Sequence, residues 1–344
     1  MTHFLPPEWA EQSGVMLTWP HRNSYWADTL DEIDAVFTET ALQVSLRQKV
    51  LITCLDLNHE LHIKTLLKKA GVDLHQVKTH VVRADDIWVR DHGPITVLQD
   101  QKPVLLDFTF TGWGYKYPAD NDNKLTQHLH TQHAFSQTPI KTIGMALEGG
   151  GIEVDGEGTL LVTKSCVLSK KRNPTLSQQE IEDCLKEAFG VNRILWVEQG
   201  GLEGDDTDGH IDTLARFTNP STICYVTCDD ENDPHYAPLK AMEKELQAFK
   251  DYQGHAYRLI PLPWPKARYA DFDGRRLPVT YANFLIINEA VLVPTYDDPA
   301  DEEALVTLSE CFPDRQIVAI PSMPVVQWYG SIHCMTMQLP RGVL

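Results

Sequence analysis

The order of elements constrains this chain more tightly than its composition does. Two short apolar runs flank a tight turn, an amphipathic stretch follows, then one more apolar run, and the whole pattern repeats. Residues 94–98 and 104–110 flank a turn at Gln99-Asp100, residues 125–133 carry helical spacing, and residues 140–143 read as a strand. The order recurs with 152–154 and 159–167 around Asp155-Gly156-Glu157-Gly158, a helix over 178–189 and a strand over 193–197. A third copy uses 211–218, the Asn219-Pro220 turn, 222–228, 237–249 and 257–261, and a fourth uses 283–287, Asn288-Glu289, 290–294, 302–311 and 316–320. The fifth is divided between the chain ends: residues 332–339 supply one strand, 15–19 its partner, and 31–47 with 50–54 complete the unit. Helical 60–69 and extended 77–82 are left over ahead of the first hairpin.

Repeats of this period imply a radial or solenoid architecture, and a strand pair drawn from both ends favours a closed ring. A doubly wound sheet would alternate single strands with helices, so the hairpins count against it. The expected class is α/β, a pseudosymmetric ring of ββαβ modules. With 344 residues, 42% of them hydrophobic, the chain can bury a sizeable core, and no shift in composition divides it, so one domain over 1–344 is expected.

Composition also removes several classes of function. The balance of 30 Lys and Arg against 48 Asp and Glu disfavours nucleic acid and attracts small cations. Residues 1–10 have neither the basic nor the apolar region of a secretory signal, and no apolar run approaches a membrane span. Seven cysteines at irregular spacings argue against a disulfide framework and for a reducing compartment, with cytoplasm as the default. Cys224 and Cys228 with His235 suggest zinc, yet Cys224, Val226 and Cys228 alternate along one strand face and no second ligand pair follows, so no metal is expected. Gly149-Gly150-Gly151 lacks the Lys-Ser or Lys-Thr ending of a phosphate loop, and no nucleotide cofactor is implied.

The polar residues fall at matching places in the repeats. Arg90-Asp91-His92-Gly93-Pro94, Glu148-Gly149-Gly150-Gly151, Gly209-His210-Ile211-Asp212, Ala282-Asn283-Phe284 and Gly330-Ser331-Ile332-His333-Cys334 each sit at the start of a hairpin's first strand. In a radial fold such positions face one axis and can serve one substrate. A cysteine there, with a histidine and carboxylates at the mouths of other strands, suggests a thiolate nucleophile. Taken singly, each residue has a plainer explanation. Cys334 is a small strand hydrophobe, His210 a core histidine, Asp91 an ion-pair partner of Arg90, and Asp212 a hairpin cap.

The ordered set Asp86-x-Trp88-x-Arg90-Asp91-x-Gly93-Pro94, Glu148-Gly149-Gly150, Gly209-His210-x-Asp212 and His333-Cys334 resembles the agmatine deiminase and bacterial peptidylarginine deiminase family over nearly the whole chain. Gly112-Trp113-Gly114, the acidic run 229–234 and Asp297-Asp298-Pro299 are similar to that family as well. The resemblance implies a five-bladed α/β propeller, a cofactor-free deiminase reaction on a guanidine, and subunits that commonly pair as homodimers. It also implies roles: Cys334 attacks the guanidine carbon, His210 moves protons, and Asp91 and Asp212 clamp opposite edges of the cation. One departure is visible, because Trp328-Tyr329-Gly330-Ser331 stands where the commonest agmatine pattern has a triple glycine.

The implied chemistry suits these residues. A guanidinium is a planar cation with fixed N–H donors, and paired carboxylates match it better than one charge. Glu148 is expected to bind the cation or act in proton transfer, Trp88 and Trp113 to line the site, and Asp205 and Asp206 to meet a second positive charge on the substrate. Two neighbouring carboxylates should hold the Cys334 thiol protonated until the cation arrives. Agmatine is the expected substrate. The alternatives are peptidyl or free arginine, transfer of the amidino group to an amine, and a non-catalytic polyamine-binding module.

Overall fold

Residues 3–344 are described by a computed structural model. Among them the chain forms five small sheets. In the first, Ile95–Gln99 pairs antiparallel with Lys102–Thr109, which pairs in parallel with Ile140–Ala146 after the helix Asp122–Thr131. The second joins Ile152–Val154, Thr159–Thr163 and Arg193–Val197 through the helix Gln178–Phe189. The third joins Ala215–Asn219, Thr222–Val226 and Arg258–Leu262 through Tyr236–Ala248. In the fourth, Leu285–Ile287, Ala290–Thr295 and Gln316–Pro321 are connected through Ala300–Cys311. The fifth uses both chain ends: Thr336–Pro340 pairs antiparallel with Gln12–Thr18, which pairs in parallel with Lys49–Cys54 after Leu30–Ser45. The extra helix Leu57–Lys69 and strand Val77–Val81 extend that sheet.

The sequence dictates this arrangement by simple means. Antiparallel neighbours need only a tight turn, whereas a parallel neighbour needs a crossover long enough for a helix. Local chemistry sets both ends of one crossover helix: Ser177 and Glu180 form a reciprocal capping box before Gln178–Phe189, and Gly190 ends it at φ 65°. The middle strands Thr159–Thr163 and Thr222–Val226 are buried throughout, while the third strands Arg193–Val197 and Arg258–Leu262 are partly open. None of the helices among the described residues is long and apolar enough to cross a membrane.

Three of the element boundaries that differ from expectation lie beside the polar residues. The strand expected over 159–167 stops at Thr163, and Lys164–Val167 is a helical turn. Ile211–Thr213 is a 3-10 turn before the strand Ala215–Asn219. Cys334 does not lie in a strand, because that strand begins at Thr336. For Cys334 the reason is competition from side chains for its backbone groups. Asn283 Oδ1 accepts the N–H groups of His333 and Cys334 at 3.1 and 3.3 Å, and the Thr336 hydroxyl donates to the Ile332 carbonyl at 2.8 Å. A further strand, His3–Phe4, pairs with Ile95–Gln99 and carries no periodicity long enough to reveal it.

Residues in or just before the first hairpin strand of every sheet meet in a buried charged cluster. Arg216 lies at its centre, fully buried, with its guanidinium paired to Glu153 and, at 2.9 Å, to Glu8. It also donates to the carbonyls of Ala282 and Phe284 at 3.1 and 2.8 Å. Glu8 accepts His333 Nε2 at 2.7 Å, and Arg90 Nε donates to the His333 carbonyl at 3.3 Å. Burial alone would raise the Glu8 carboxyl, but His333 and Arg216 outweigh it and hold the group below the usual range.

Removing one member strands the others without compensation. Arg216→Met should therefore cost about 3–5 kcal/mol in urea unfolding. Combining it with Glu8→Gln and Glu153→Gln should return part of that loss; if it does not, the cluster is not held by charge.

Candidate active site

Gly150 marks the centre of the site. An alanine Cβ at this position would lie 2.6 Å from His210 Nδ1, 2.8 Å from Asp91 Oδ1 and 3.1 Å from Asp212 Oδ2. Three ionisable side chains, drawn from the segments that lead into two different sheets, thus close around a position that only hydrogen can occupy. The Gly150 N–H donates to Asp91 Oδ1 at 3.0 Å, and Trp113 Nε1 donates to Asp91 Oδ2 at 2.9 Å. Trp113 reaches that oxygen from a left-handed backbone conformation, φ 57°, between two glycines that are also left-handed. Such strain is held only where the surroundings over-determine it.

Cys334 lies beside this group, 6% exposed, with its Sγ 3.8 Å from Asp212 Oδ2 and accepting from Asn283 Nδ2 at 3.2 Å. Burial pushes the Cys334 thiol well above the ordinary cysteine value, and Asp212 and Asp91 push it further. The two carboxylates themselves are driven apart. Burial raises Asp91 to about 6 despite the nearby His210. Asp212 is equally buried, yet its Oδ2 is 2.7 Å from His333 Nδ1, and that partner outweighs burial and lowers it. Its other oxygen, Oδ1, is buried with no hydrogen-bond partner among the described residues.

His210 is completely buried, with Nδ1 3.5 Å from Asp91 Oδ1 and Nε2 3.6 Å from Glu148 Oε2. Both contacts exceed hydrogen-bond length, so each ring nitrogen has a carboxylate facing it and no bond to it. Burial disfavours the imidazolium, but Asp91 and the Cys166 sulfur outweigh burial and raise His210 well above its ordinary value. Glu148 is held from behind by Arg172, whose Nε lies 2.9 and 2.6 Å from its two oxygens. Arg172 also reaches Asp208 at 2.7 Å and the Thr207 carbonyl at 2.8 Å, tying Glu148 to the loop that precedes His210.

A cleft of about 580 Å³ leads to Cys334 and Asp91. Its walls include Tyr25, Trp88, Trp113, Tyr117, Trp328 and Tyr329, with Asp86, Asp205 and Asp206 among the lining residues. His210 and Asp212 lie behind that surface, fully enclosed. Gly330 is the residue against which Trp88 packs; a Cβ there would stand 2.2 Å from the indole ring. Asp205 is spent on its own loop, accepting from Thr207 Oγ1 at 2.6 Å and Gly209 N at 2.6 Å. Asp206 accepts the Tyr117 hydroxyl at 2.6 Å and lies 3.4 Å from Arg275 Nη1.

Sequence reasoning did not single out Arg172, His333 as a bridge, or the side-chain role of Asn283. Their contacts join positions distant in the chain, and only Asn283 and His333 carry a signal, through their places at hairpin starts. Two groups, Glu148 with Cys166 and His210, and Glu8 with Glu153 and His333, bring metal-capable atoms within 4.8 Å of one another. In each, an arginine already neutralises the carboxylates, which suits ion-pair clusters better than cation sites.

Several known proteins are similar to this chain over nearly its whole length. The agmatine deiminase of Stutzerimonas stutzeri is 34% identical over 98% of this chain and 95% of its own length. A crystal structure from Porphyromonas gingivalis, provisionally described as an arginine deiminase, is 44% identical with a TM-score of 0.92 and covers 100% of both chains. The structure of a C. jejuni agmatine deiminase variant with substrate bound is 36% identical with a TM-score of 0.91, covering 100% of this chain and 98% of that one. Since the sequence pattern of the family matches residues 4–340, almost the entire sequence, the chain belongs to the Porphyromonas-type peptidyl-arginine deiminases.

Proposed function

We propose that this protein is an agmatine deiminase, converting agmatine and water into N-carbamoylputrescine and ammonia through a covalent amidino-thioether on Cys334. The observation that carries this reading is the closure of Asp91, His210 and Asp212 around Gly150, next to the Cys334 sulfur. Relatives that are agmatine deiminases over nearly their full length support the substrate. We read the five sheets as the blades of one α/β propeller forming a single domain, supported by hairpin starts from every sheet meeting in one cluster. All seven cysteines are free, which fits the reducing cytoplasm.

The chemistry follows from the protonation states. In the empty site the thiol is protonated and His210 carries its proton, while Asp212 is charged. A guanidinium entering between Asp91 and Asp212 offsets the charges that hold the thiol proton, which is lost to water in the cleft, and Asp212 Oδ1 gains its first donor. The Cys334 thiolate then forms a bond to the guanidine carbon, and one C=N π pair moves onto nitrogen. His210 gives its proton to a terminal amino group, whose C–N bond breaks to release ammonia. The product of that half is the amidino-thioether.

Water completes the cycle. Neutral His210 takes a proton from it, the oxygen adds to the amidino carbon, the C–S bond breaks to return the thiolate, and the remaining hydroxyl proton goes to the sulfur as the ureido product leaves. Asn283 Nδ2–H stabilises the sulfur as an anion in both halves. Glu148, neutralised by Arg172, faces the imidazolium and holds its orientation rather than clamping substrate.

Ammonia release from agmatine, arginine and an arginyl peptide, without added amine, tests the assignment. Agmatine should be the preferred substrate. Release from the peptide alone would replace the substrate, and dependence on an added amine would replace hydrolysis by transfer.

The glycines give a sharper test of the site. Gly150→Ala should lower kcat/KM at least about 100-fold with an unchanged circular dichroism spectrum, because it displaces reacting groups by a fraction of an ångström. Gly151→Ala should be nearly silent, since its Cβ would meet Cys166 Sγ at 3.5 Å and His210 Cδ2 at 3.8 Å, ordinary contacts. Alkylation by iodoacetamide should follow the same logic. In the free enzyme its rate at Cys334 should rise only above the pH at which ordinary cysteine reacts, near pKa ~8.5. An inflection below neutrality would contradict a thiol held protonated by Asp212 and Asp91.

A further inference from the structure

We propose that Asp86 is the residue that receives the distal ammonium of the substrate, and so sets the preference for a guanidine that carries a second positive charge. This rests on the deiminase reading and extends it to specificity. Asp86 lines the same cleft as Cys334 and Asp91. Its carboxyl is held by neutral donors: Oδ1 accepts Trp26 Nε1 at 3.0 Å and the Ile87 N–H at 2.8 Å, and the Trp88 side chain also hydrogen-bonds it. Among the described residues no lysine, arginine or histidine side chain pairs with it, and the charged neighbour that acts on it is another carboxylate, Asp85. A carboxylate in an apolar wall with no cation of its own is an expensive arrangement in an empty site, and a ligand cation relieves it.

The walls fit that ligand. Trp88, Trp328 and Tyr25 line the cleft, Tyr25 lying 5.5 Å from Trp328, and the buried Trp26 packs behind them with its ring centroid 5.8 Å from Trp88, edge-on, and 6.0 Å from Trp328. Aromatic faces of this kind attract an ammonium as well as the methylenes leading to it. The segment is also held firmly in place, because Asp122 Oδ1 accepts the Asp85 N–H at 2.7 Å and Asp85 holds Asn121 through its backbone N–H at 2.8 Å.

The two acids that the sequence pointed to are less suited. Asp205 has its oxygens occupied by N–H and O–H donors of its own loop. Asp206 already has Tyr117 and the Arg275 guanidinium, which itself lies over the Tyr329 ring 4.0 Å from the centroid. A substrate ammonium at Asp206 would have to displace that arginine, whereas at Asp86 it displaces nothing charged.

The experiment compares agmatine with n-butylguanidine, which has the same guanidine and four-carbon chain without the ammonium. Ammonia release is measured for the unaltered protein, Asp86→Asn and Asp206→Asn. Asparagine keeps an oxygen for Trp26 and Ile87 while removing the charge. The ratio of kcat/KM for agmatine over butylguanidine should be high in the unaltered protein and fall about 100-fold in Asp86→Asn, chiefly through KM for agmatine. It should survive in Asp206→Asn. Equal loss on both substrates in Asp86→Asn, or a ratio that collapses in Asp206→Asn instead, overturns the proposal. So does an unaltered protein that processes the two compounds equally, although hydrolysis itself would then stand. Release from neither compound would remove the agmatine reading, and this proposal with it.

Discussion

The bridge made by His333 is the interaction on which the rest depends. One ring nitrogen lies 2.7 Å from Asp212 and the other 2.7 Å from Glu8, so a single imidazole joins the reacting groups to the charged centre of the fold. Glu8 passes the connection to Arg216, and Arg216 passes it to Glu153 and to the carbonyls before Leu285–Ile287. Asp212 owes its low carboxyl to this chain of partners, while Asp91, buried as deeply but lacking such a bridge, rises to about 6. Two chemically identical side chains thereby acquire different resting states, as their differing partners require.

Close approach is the second condition. Ionisable groups from separate sheets can converge only if the backbone between them carries no side chain, and Gly150 supplies that gap. Gly149 does similar work one step away, where a Cβ would stand 2.2 Å from the Arg90 carbonyl oxygen. The segment before Cys334 follows the same rule with a different outcome. Gly330 is kept because Trp88 lies against it, while the positions beside it carry Trp328 and Tyr329. Where the related pattern has three glycines, this chain keeps the one its packing needs and builds cleft wall from the others.

That contrast shows what was legible in the sequence. Hairpin, helix and strand repeat because local periodicity and turn chemistry produce them, and residues 178–189 and 193–197 fall within the observed elements. The motif residues were legible because they recur at hairpin starts. Three things were not. Cys334 read as strand because Ile332, Met335 and Met337 look like strand residues, and the competing bonds come from Asn283, far away in sequence. Arg172 sits in a polar run of Ser, Lys and Arg with nothing to distinguish it, yet it is the arginine that is buried against Glu148. Glu8 lies in the unpatterned start of the chain and becomes part of the core only when the ends meet.

Arg172 also decides what Glu148 can do. A buried glutamate with no partner would compete for the substrate cation, drawing it away from the sulfur. Held through both oxygens by a guanidinium from its own protein, Glu148 is already satisfied in charge and turns its remaining capacity toward His210, 3.6 Å away. The acids around the reacting carbon therefore divide by partner. Glu148 has an arginine and serves the histidine; Asp212 has His333 and stays ionised; Asp91 has only neutral donors and leans on His210. In the proposed reaction the substrate cation is the charge complement to Asp91 and Asp212 together, and its arrival frees the thiol to react.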